Sequence, residues 1–262
     1  MPLTFEQFIE QAIKILNLNL CGYKIKRVQR RTDSLMRRHN INDYEQCIKL
    51  LKTDRTFKEA YLNHFTINTS EFFRNPGNFA YLKEKILPGL FVQKNKVNIW
   101  SAPCSNGSEP YTVALILAEL NYTAKQYRIL GSDIDTGILD RARRGVYGYN
   151  NLENVPDNLL NKYFINIDPV NRKYRLTEEI IEQVTLEKKD LINESFSNNW
   201  DLILSRNFFI YLTNEIKEML CHKFAAALRP GGYFFLGNTE FIFNPEQYNL
   251  KKVYSSFYQK SD

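Results

Sequence analysis

Apolar residues recur at helical spacing through the first part of the chain. Phe5, Phe8, Ile9, Ala12 and Ile13 form one set, and Ile25, Val28, Leu35 and Met36 another. Tyr44, Cys47, Ile48 and Leu51 put a third stripe on the segment Asp43–Leu51. No apolar–polar alternation precedes Lys96, so residues 1–66 read as a small helical domain and 67–262 as a second domain. From Val97 the rhythm changes. Strands are expected at Val97–Ser101, Tyr127–Leu130, Asp201–Leu204 and Tyr233–Leu236, with helices at Pro110–Leu120, Thr136–Arg144 and Thr213–Leu228 between them. Strands alternating with helices imply an α/β fold: a doubly wound, largely parallel sheet with right-handed crossovers. Pro110 suits a first helical turn, and Arg229-Pro230-Gly231-Gly232 should stop the last helix. Residues 146–187 break the rhythm. Turn signals at Val155-Pro156-Asp157 and Asp168-Pro169, and alternation around Tyr174-Arg175-Leu176, predict an insertion with a short helix and a small antiparallel β piece.

Composition narrows the class. With 262 residues, 44% hydrophobic and 24% charged, the chain can bury a core and is neither disordered nor fibrous. Its apolar runs are too short for a bilayer, and Glu6 and Glu10 in an N-terminus without a basic start argue against a secretory leader. Cys21, Cys47, Cys104 and Cys221 are scattered and make no CxxC pair, so neither a disulfide framework nor a metal site is expected, and the cytoplasm is the expected compartment.

The net charge of +6 is local. Lys24, Lys26, Arg27, Arg30, Arg31, Arg37 and Arg38 fall within fifteen residues that hold a single acid, Asp33. On a wheel of about 100° per residue, Ile25, Val28, Thr32, Leu35 and Met36 share one arc, while Lys24 and the five arginines share the opposite one. With almost no acids on this face, self-pairing does not account for it. A negatively charged partner does: nucleic acid, or an acidic protein helix, since the guanidinium fork binds phosphates and carboxylates alike.

The strand tips hold the candidate chemistry. Ser101 to Glu109 follows the first strand and opens a helix, the usual nucleotide position in a doubly wound sheet. Gly107 is its only glycine, so it matches neither a dinucleotide fingerprint nor a P-loop. Asp133, at the end of the second strand, is read as a ribose ligand and Asp135 as a helix cap. Arg206 and Asn207 follow the expected strand Asp201–Leu204, at the functional edge. Upstream lies Asn68-Thr69-Ser70-Glu71-Phe72-Phe73-Arg74, whose polar ends around two phenylalanines exceed what a helix start needs.

These motifs resemble one family, the chemotaxis receptor methyltransferases, or CheR. The resemblance runs through the basic N-terminal helices, Asn68–Arg74, Trp100–Tyr111, Ser132–Asp135, Ala142–Tyr147, Arg206–Tyr211, Gly231–Tyr233 and Gly237-Asn238-Thr239-Glu240. It implies a class I methyltransferase using S-adenosylmethionine (SAM), with S-adenosylhomocysteine as product, that esterifies glutamates on the cytoplasmic helical region of membrane chemoreceptors. It further implies that Asn68, Ser70 and Arg74 reach the cofactor from the interdomain linker and that Glu109 and Asp133 hold its polar groups. Asp190 and Leu191 would flank the adenine, and Asn207 and Phe208 would line the methyl-transfer edge. Arg27, Arg30, Arg31, Arg37 and Arg38 would dock the receptor helices. A monomer with no nucleic-acid partner and no membrane insertion is expected.

The chemistry agrees with the residues. Methyl transfer from a sulfonium is an in-line displacement, and a glutamate carboxylate with a pKa of about 4.3 is ionised at neutral pH, so positioning suffices and no general base is needed. The three histidines, His39, His64 and His222, lie outside every motif above. Arg74 and Arg206 are read as orienting a carboxylate of acceptor or cofactor, with Tyr211 shaping the acceptor pocket. Two readings stay open at this level. A nucleic-acid methyltransferase would use the same cofactor domain, although Arg206-Asn207-Phe208-Phe209 lacks the prolines usual in a base-methylating loop. A non-enzymatic SAM-binding module would bind without turnover.

Overall fold

Phe5, Phe8, Ile9, Ala12 and Leu16 stand three or four residues apart, and all are buried on one side of helix α1 (Phe5–Leu16). The computed structural model describes residues 2–16, 20–65 and 70–261. Helix α2 (Ile25–Arg38) buries Val28, Thr32, Leu35 and Met36. Ile25, expected on the same face, is 46% exposed, because it is the first residue of the helix and the buried stripe begins one turn later. Helix α3 (Tyr44–Thr53) starts at Asp43, whose carboxylate accepts the Gln46 amide at 2.7 Å. The Tyr44 hydroxyl donates to Asp33 at 2.8 Å, so the one acid of the basic segment serves the fold. Helix α4 (Arg55–Phe65) is tied to α2 by the Tyr61 and Thr32 hydroxyls, 2.7 Å apart.

By contacts the chain divides into two units: Met1–Asn68 with Tyr211–Glu218, and Thr69–Ile210 with Met219–Asp262. The late segment joins the helical unit through the Lys24 amide on the Tyr211 carbonyl (2.9 Å), the Thr213 amide on the Gly22 carbonyl (3.0 Å) and an antiparallel bridge between Tyr23 and Leu212.

The second unit begins with a helical run that periodicity did not reveal: α5 (Pro76–Tyr81), a π-helical turn at Leu82–Ile86, and α6 (Leu87–Gln93). The π turn rotates the apolar residues out of a regular 3.6-residue pattern. Then follow β1 (Val97–Ser101), α7 (Ser108–Glu119), β2 (Tyr127–Asp133), α8 (Thr136–Arg144), β3 (Val146–Gly148), α9 (Asp157–Tyr163), β4 (Phe164–Asp168), β5 (Lys173–Leu176), α10 (Glu178–Ile181), β6 (Val184–Lys188) and β7 (Trp200–Ser205). The chain ends with α11 (Asn214–Ala227), β8 (Leu228–Leu236), β9 (Leu250–Tyr254) and β10 (Phe257–Lys260).

The main sheet has the order β6-β2-β1-β7-β8-β10-β9. Strands β6, β2, β1, β7 and β8 pair in parallel, and β10 runs antiparallel to both of its neighbours. Winding reverses between β1 and β7, so their carboxyl ends form the topological switch point where α/β sheets bind ligands. Val113–Leu117 of α7 is wholly buried, as a helix covering a parallel sheet requires. At the opposite edge the buried Asp201 accepts the Asn98 amide at 2.7 Å and pairs with Lys94 (2.9 Å) and Arg229.

A separate antiparallel sheet, β3-β5-β4, forms the expected insertion. Strand β6 corrects its extent. Val184–Lys188 pairs with β2 at the edge of the main sheet, so the antiparallel piece ends earlier than residue 187. Strand β8 also starts sooner than expected, directly after α11, with an irregular register where Gly232 lies against backbone; a Cβ there would sit 2.9 Å from the Arg229 carbonyl. The β9–β10 hairpin was not legible in the pattern. Among the described residues, no helix is long and apolar enough to cross a membrane.

Candidate active site

The loop between β1 and α7 is tied to both neighbouring strands. The Ala102 amide donates to the Leu204 carbonyl of β7 at 2.8 Å, and the Cys104 amide to the Ser132 carbonyl of β2 at 2.9 Å. Ser105 takes a left-handed φ of 50°, and its amide is caught by Asp133 Oδ2 at 2.9 Å. Gly107, with φ 84°, starts α7 where any Cβ would lie 2.7 Å from the Tyr111 ring.

Asp133, at the tip of β2, is 5% exposed. Its Oδ1 accepts the Asp135 amide at 3.0 Å, and burial pushes its carboxyl up to about 6. Asp135 does what the sequence indicated: it caps α8, accepting the Gly137 amide at 2.8 Å and the Ile138 amide at 3.2 Å. Beside the same tip, the Lys189 amide donates to the Asp133 carbonyl at 2.9 Å. This anchors the loop carrying Asp190 and the buried Leu191. Asp190 is engaged locally, accepting the Ile192 amide at 2.9 Å and the Asn193 amide at 3.1 Å on Oδ1, with Asn193 Nδ2 on its other oxygen.

Glu109 and Arg206 form a buried ion pair, Nη1 to Oε2, at 3.4 Å. Glu109 Oε1 also accepts the Ser101 hydroxyl at 2.8 Å. Burial raises the Glu109 carboxyl, and Arg206 opposes that rise. Arg206 Nη2 donates to the Arg74 carbonyl and to Asn75 Oδ1, each at 2.8 Å, and its plane lies over the Phe235 and Phe79 rings at 4.6 and 5.1 Å. The residues Ser70–Asn75 are thereby drawn to the switch point. Their other ties include the Ser70 carbonyl, which accepts Asn151 Nδ2 at 2.8 Å and Asn106 Nδ2 at 3.3 Å, the Phe72 amide on the Asn151 carbonyl at 2.9 Å, and the Phe73 amide, which donates to the Thr112 hydroxyl at 3.1 Å. The half-buried Arg74 has its Nε 3.9 Å from Glu71. Asn68 lies outside the described residues.

Beyond Arg206, Asn207 has a left-handed φ of 58°, and Glu240 Oε2 accepts its amide at 2.7 Å. Phe208 is half-buried. The structure therefore gathers Ser70, Arg74, Glu109, Asp133, Asn207 and Phe208 around the tips of β1, β2 and β7, with Asp190–Leu191 alongside. Tyr211 belongs to the helical unit, where the Arg27 guanidinium sits 5.0 Å over its ring. On α2, Arg30, Arg37 and Arg38 are exposed, while Arg27 and Arg31 are half-buried. Sequence reasoning gave no role to Asn151 or Glu240. An acid placed soon after a Gly-Asn turn was the one signal for the latter.

The residues present suit SAM. Asp133 accepts the Ser105 and Asp135 amides, and the Ile134 amide also favours its charged form, so of about four lone-pair sites one is left for a hydroxyl donor such as a ribose. Two buried polar atoms without a partner, Ser205 Oγ and Arg206 Nε, lie at the tip of β7.

Comparison with known proteins agrees over nearly the whole length. Residues 3–66 match the family model described as CheR methyltransferase, all-alpha domain, and residues 68–257 match CheR methyltransferase, SAM binding domain. A chemotaxis protein methyltransferase of Listeria monocytogenes is 32% identical, over 94% of this chain and 93% of its own. A chemotaxis protein methyltransferase 2 of Pseudomonas aeruginosa is 31% identical, over 90% and 85%. The chemotaxis protein methyltransferase of Escherichia coli is 28% identical, over 84% and 78%. With an all-helical unit followed by a SAM-binding α/β unit, and both family models matched in order, this chain belongs to the CheR methyltransferase family of SAM-dependent enzymes.

Proposed function

We propose that this chain transfers the methyl group of SAM to glutamate side-chain carboxylates on the cytoplasmic helical region of chemoreceptors, giving glutamate methyl esters and S-adenosylhomocysteine. It acts as a monomer in the cytoplasm. The observation that carries the acceptor is where the histidines go. His39 packs edge-on against Phe57 and His222 against Tyr248, and His64 sits in α4, so none of the three lies at the strand tips. A site without a histidine base suits an acceptor that is already ionised, and a carboxylate is one.

When bound, SAM supplies a sulfonium-activated methyl group. Asp133 accepts a ribose hydroxyl, and Asp190 and Leu191 flank the adenine. Asn68, Ser70 and Arg74 hold the amino-acid end from the linker, with Glu109 completing the polar lining through its pair with Arg206. Asn207 and Phe208 form the edge across which the methyl passes. Arg27, Arg30, Arg31, Arg37 and Arg38 attract and orient an acidic receptor helix, so the rate should fall as salt screens them.

The test is incubation with methyl-labelled SAM and a cytoplasmic receptor fragment, followed by mild base. Label released as methanol is the expected result and identifies a carboxyl ester. Base-stable label overturns the carboxylate acceptor, and SAM binding without any label overturns transfer to the receptor.

A further inference from the structure

Glu240 is a buried acid to which the scheme above assigns no task. It closes the turn after β8, its own amide donating to the Gly237 carbonyl at 3.0 Å, and it is 7% exposed. Its side chain turns back over the tip of β7. Oε2 accepts the amides of Asn207 at 2.7 Å and Gly237 at 2.8 Å, and Oε1 accepts that of Ile210 at 3.3 Å. The Phe209 amide also stabilises the charged form. A carboxylate offers about four lone-pair sites, so these amides leave Glu240 nothing for a ligand. What it holds is backbone. Asn207, at φ 58°, occupies a conformation that an L-residue other than glycine rarely keeps without support. The short 3-10 turn at Phe209–Tyr211 follows immediately. The fit leaves no slack, since a Cβ on Gly237 would lie 2.5 Å from Glu240 Oε2.

We infer that Glu240 is a positioning residue for methyl transfer: its carboxylate fixes the turn that sets Asn207 and Phe208 at the tip of β7. The inference rests on the reading of those two residues as the transfer edge. Glu240 itself touches neither methyl donor nor acceptor in this role.

The experiment compares Glu240→Ala, Glu240→Gln and Gly237→Ala in the full chain, reading kcat, KM for SAM, SAM affinity by calorimetry, and amide exchange across residues 207–210. In E240A, exchange should quicken and kcat fall about 100-fold, as expected for a reacting edge displaced by an ångström. KM and affinity for SAM should stay within about 3-fold, marking an interaction used in the transition state rather than in cofactor binding. E240Q keeps a carbonyl oxygen for the Asn207 and Gly237 amides and should recover kcat to within about 10-fold of wild type. G237A keeps the carboxylate but crowds it, and should fall with E240A. Wild-type kcat in folded E240A or G237A overturns the inference, as does unchanged exchange at 207–210. Parallel loss of SAM affinity and kcat in all three variants also overturns it, because that is collapse of the fold. If E240A fails to fold, E240Q and G237A decide. A wild-type enzyme that labels a different acceptor overturns the acceptor reading alone, and the same comparison is then made on that acceptor.

Discussion

Ser105, just beyond β1, and Asn207, just beyond β7, are both left-handed non-glycine residues, and each has its amide caught by a carboxylate from farther along the chain: Asp133 and Glu240. The two carboxylates are both buried and both shifted up by that burial. They differ in what remains. The amides of Ser105, Asp135 and Ile134 engage Asp133 and leave it one site for a hydroxyl donor, whereas the four amides of Asn207, Gly237, Ile210 and Phe209 fill Glu240. Position at the functional edge of a sheet therefore does not make an acid a ligand. The count of lone pairs already taken separates the acid that can bind from the acid that can only hold.

The largest effect expected from disturbing this arrangement comes from Arg206, the residue before Asn207. Arg206→Met leaves the Glu109 carboxylate buried without its cation and should cost about 3 kcal/mol near pH 8, read from denaturant midpoints. Loss of the cation pushes Glu109 further up, so the deficit should shrink toward acid, where Glu109 takes a proton. A pH-independent deficit would mean that the pair matters only as packing.

Asp133→Asn tests the other side of the comparison and should weaken SAM binding about 30-fold by calorimetry, while Glu240→Gln leaves it nearly unchanged. In the wild type, affinity should drop as pH falls through about 6 and Asp133 protonates, and D133N should flatten that profile. The sign for the ligand-free fold is opposite. In the unfolded chain Asp133 ionises near 3.8, so stability should fall as pH rises from there to about 6. If D133N and E240Q weaken SAM equally, the lone-pair distinction fails.

A smaller effect is expected away from the strand tips. Reversing Arg30, Arg37 and Arg38 to Glu should raise KM for a receptor fragment about 10-fold at low salt, with SAM affinity unchanged, and the difference should fade by about 0.5 M salt. Smallest is Asp135→Ala, two residues from Asp133, which should cost about 1 kcal/mol of stability as a lost helix cap and leave SAM affinity near wild type.

Much of this was legible in the residues. The limits of α8 fell where Asp135 and Gly145 put its cap and stop, because capping is decided within a turn of the helix. The strands β1, β2 and β7 showed as apolar runs because both faces of a parallel sheet are covered. The α5–α6 run escaped because a π turn and Pro88 interrupt its period, and β6 because it is an edge strand with mixed burial. At the site, Asp135 caps α8 as its offset from the strand end indicated, and Asp133 stands buried at the tip of β2. The partners of Arg206 were not foreseeable, since Glu109, Arg74 and Asn75 lie about a hundred residues or more away.

By itself the sequence determined the kinds of element and their order, the basic face of α2, and the motifs that mark the family, because periodicity, caps and motif spacing are recorded within a few neighbouring residues. Only the tertiary structure decided which acids remain available. Ser105 reaches Asp133 across 28 residues and Asn207 reaches Glu240 across 33, so the bonds that leave one carboxylate open and fill the other exist only once the strands stand side by side.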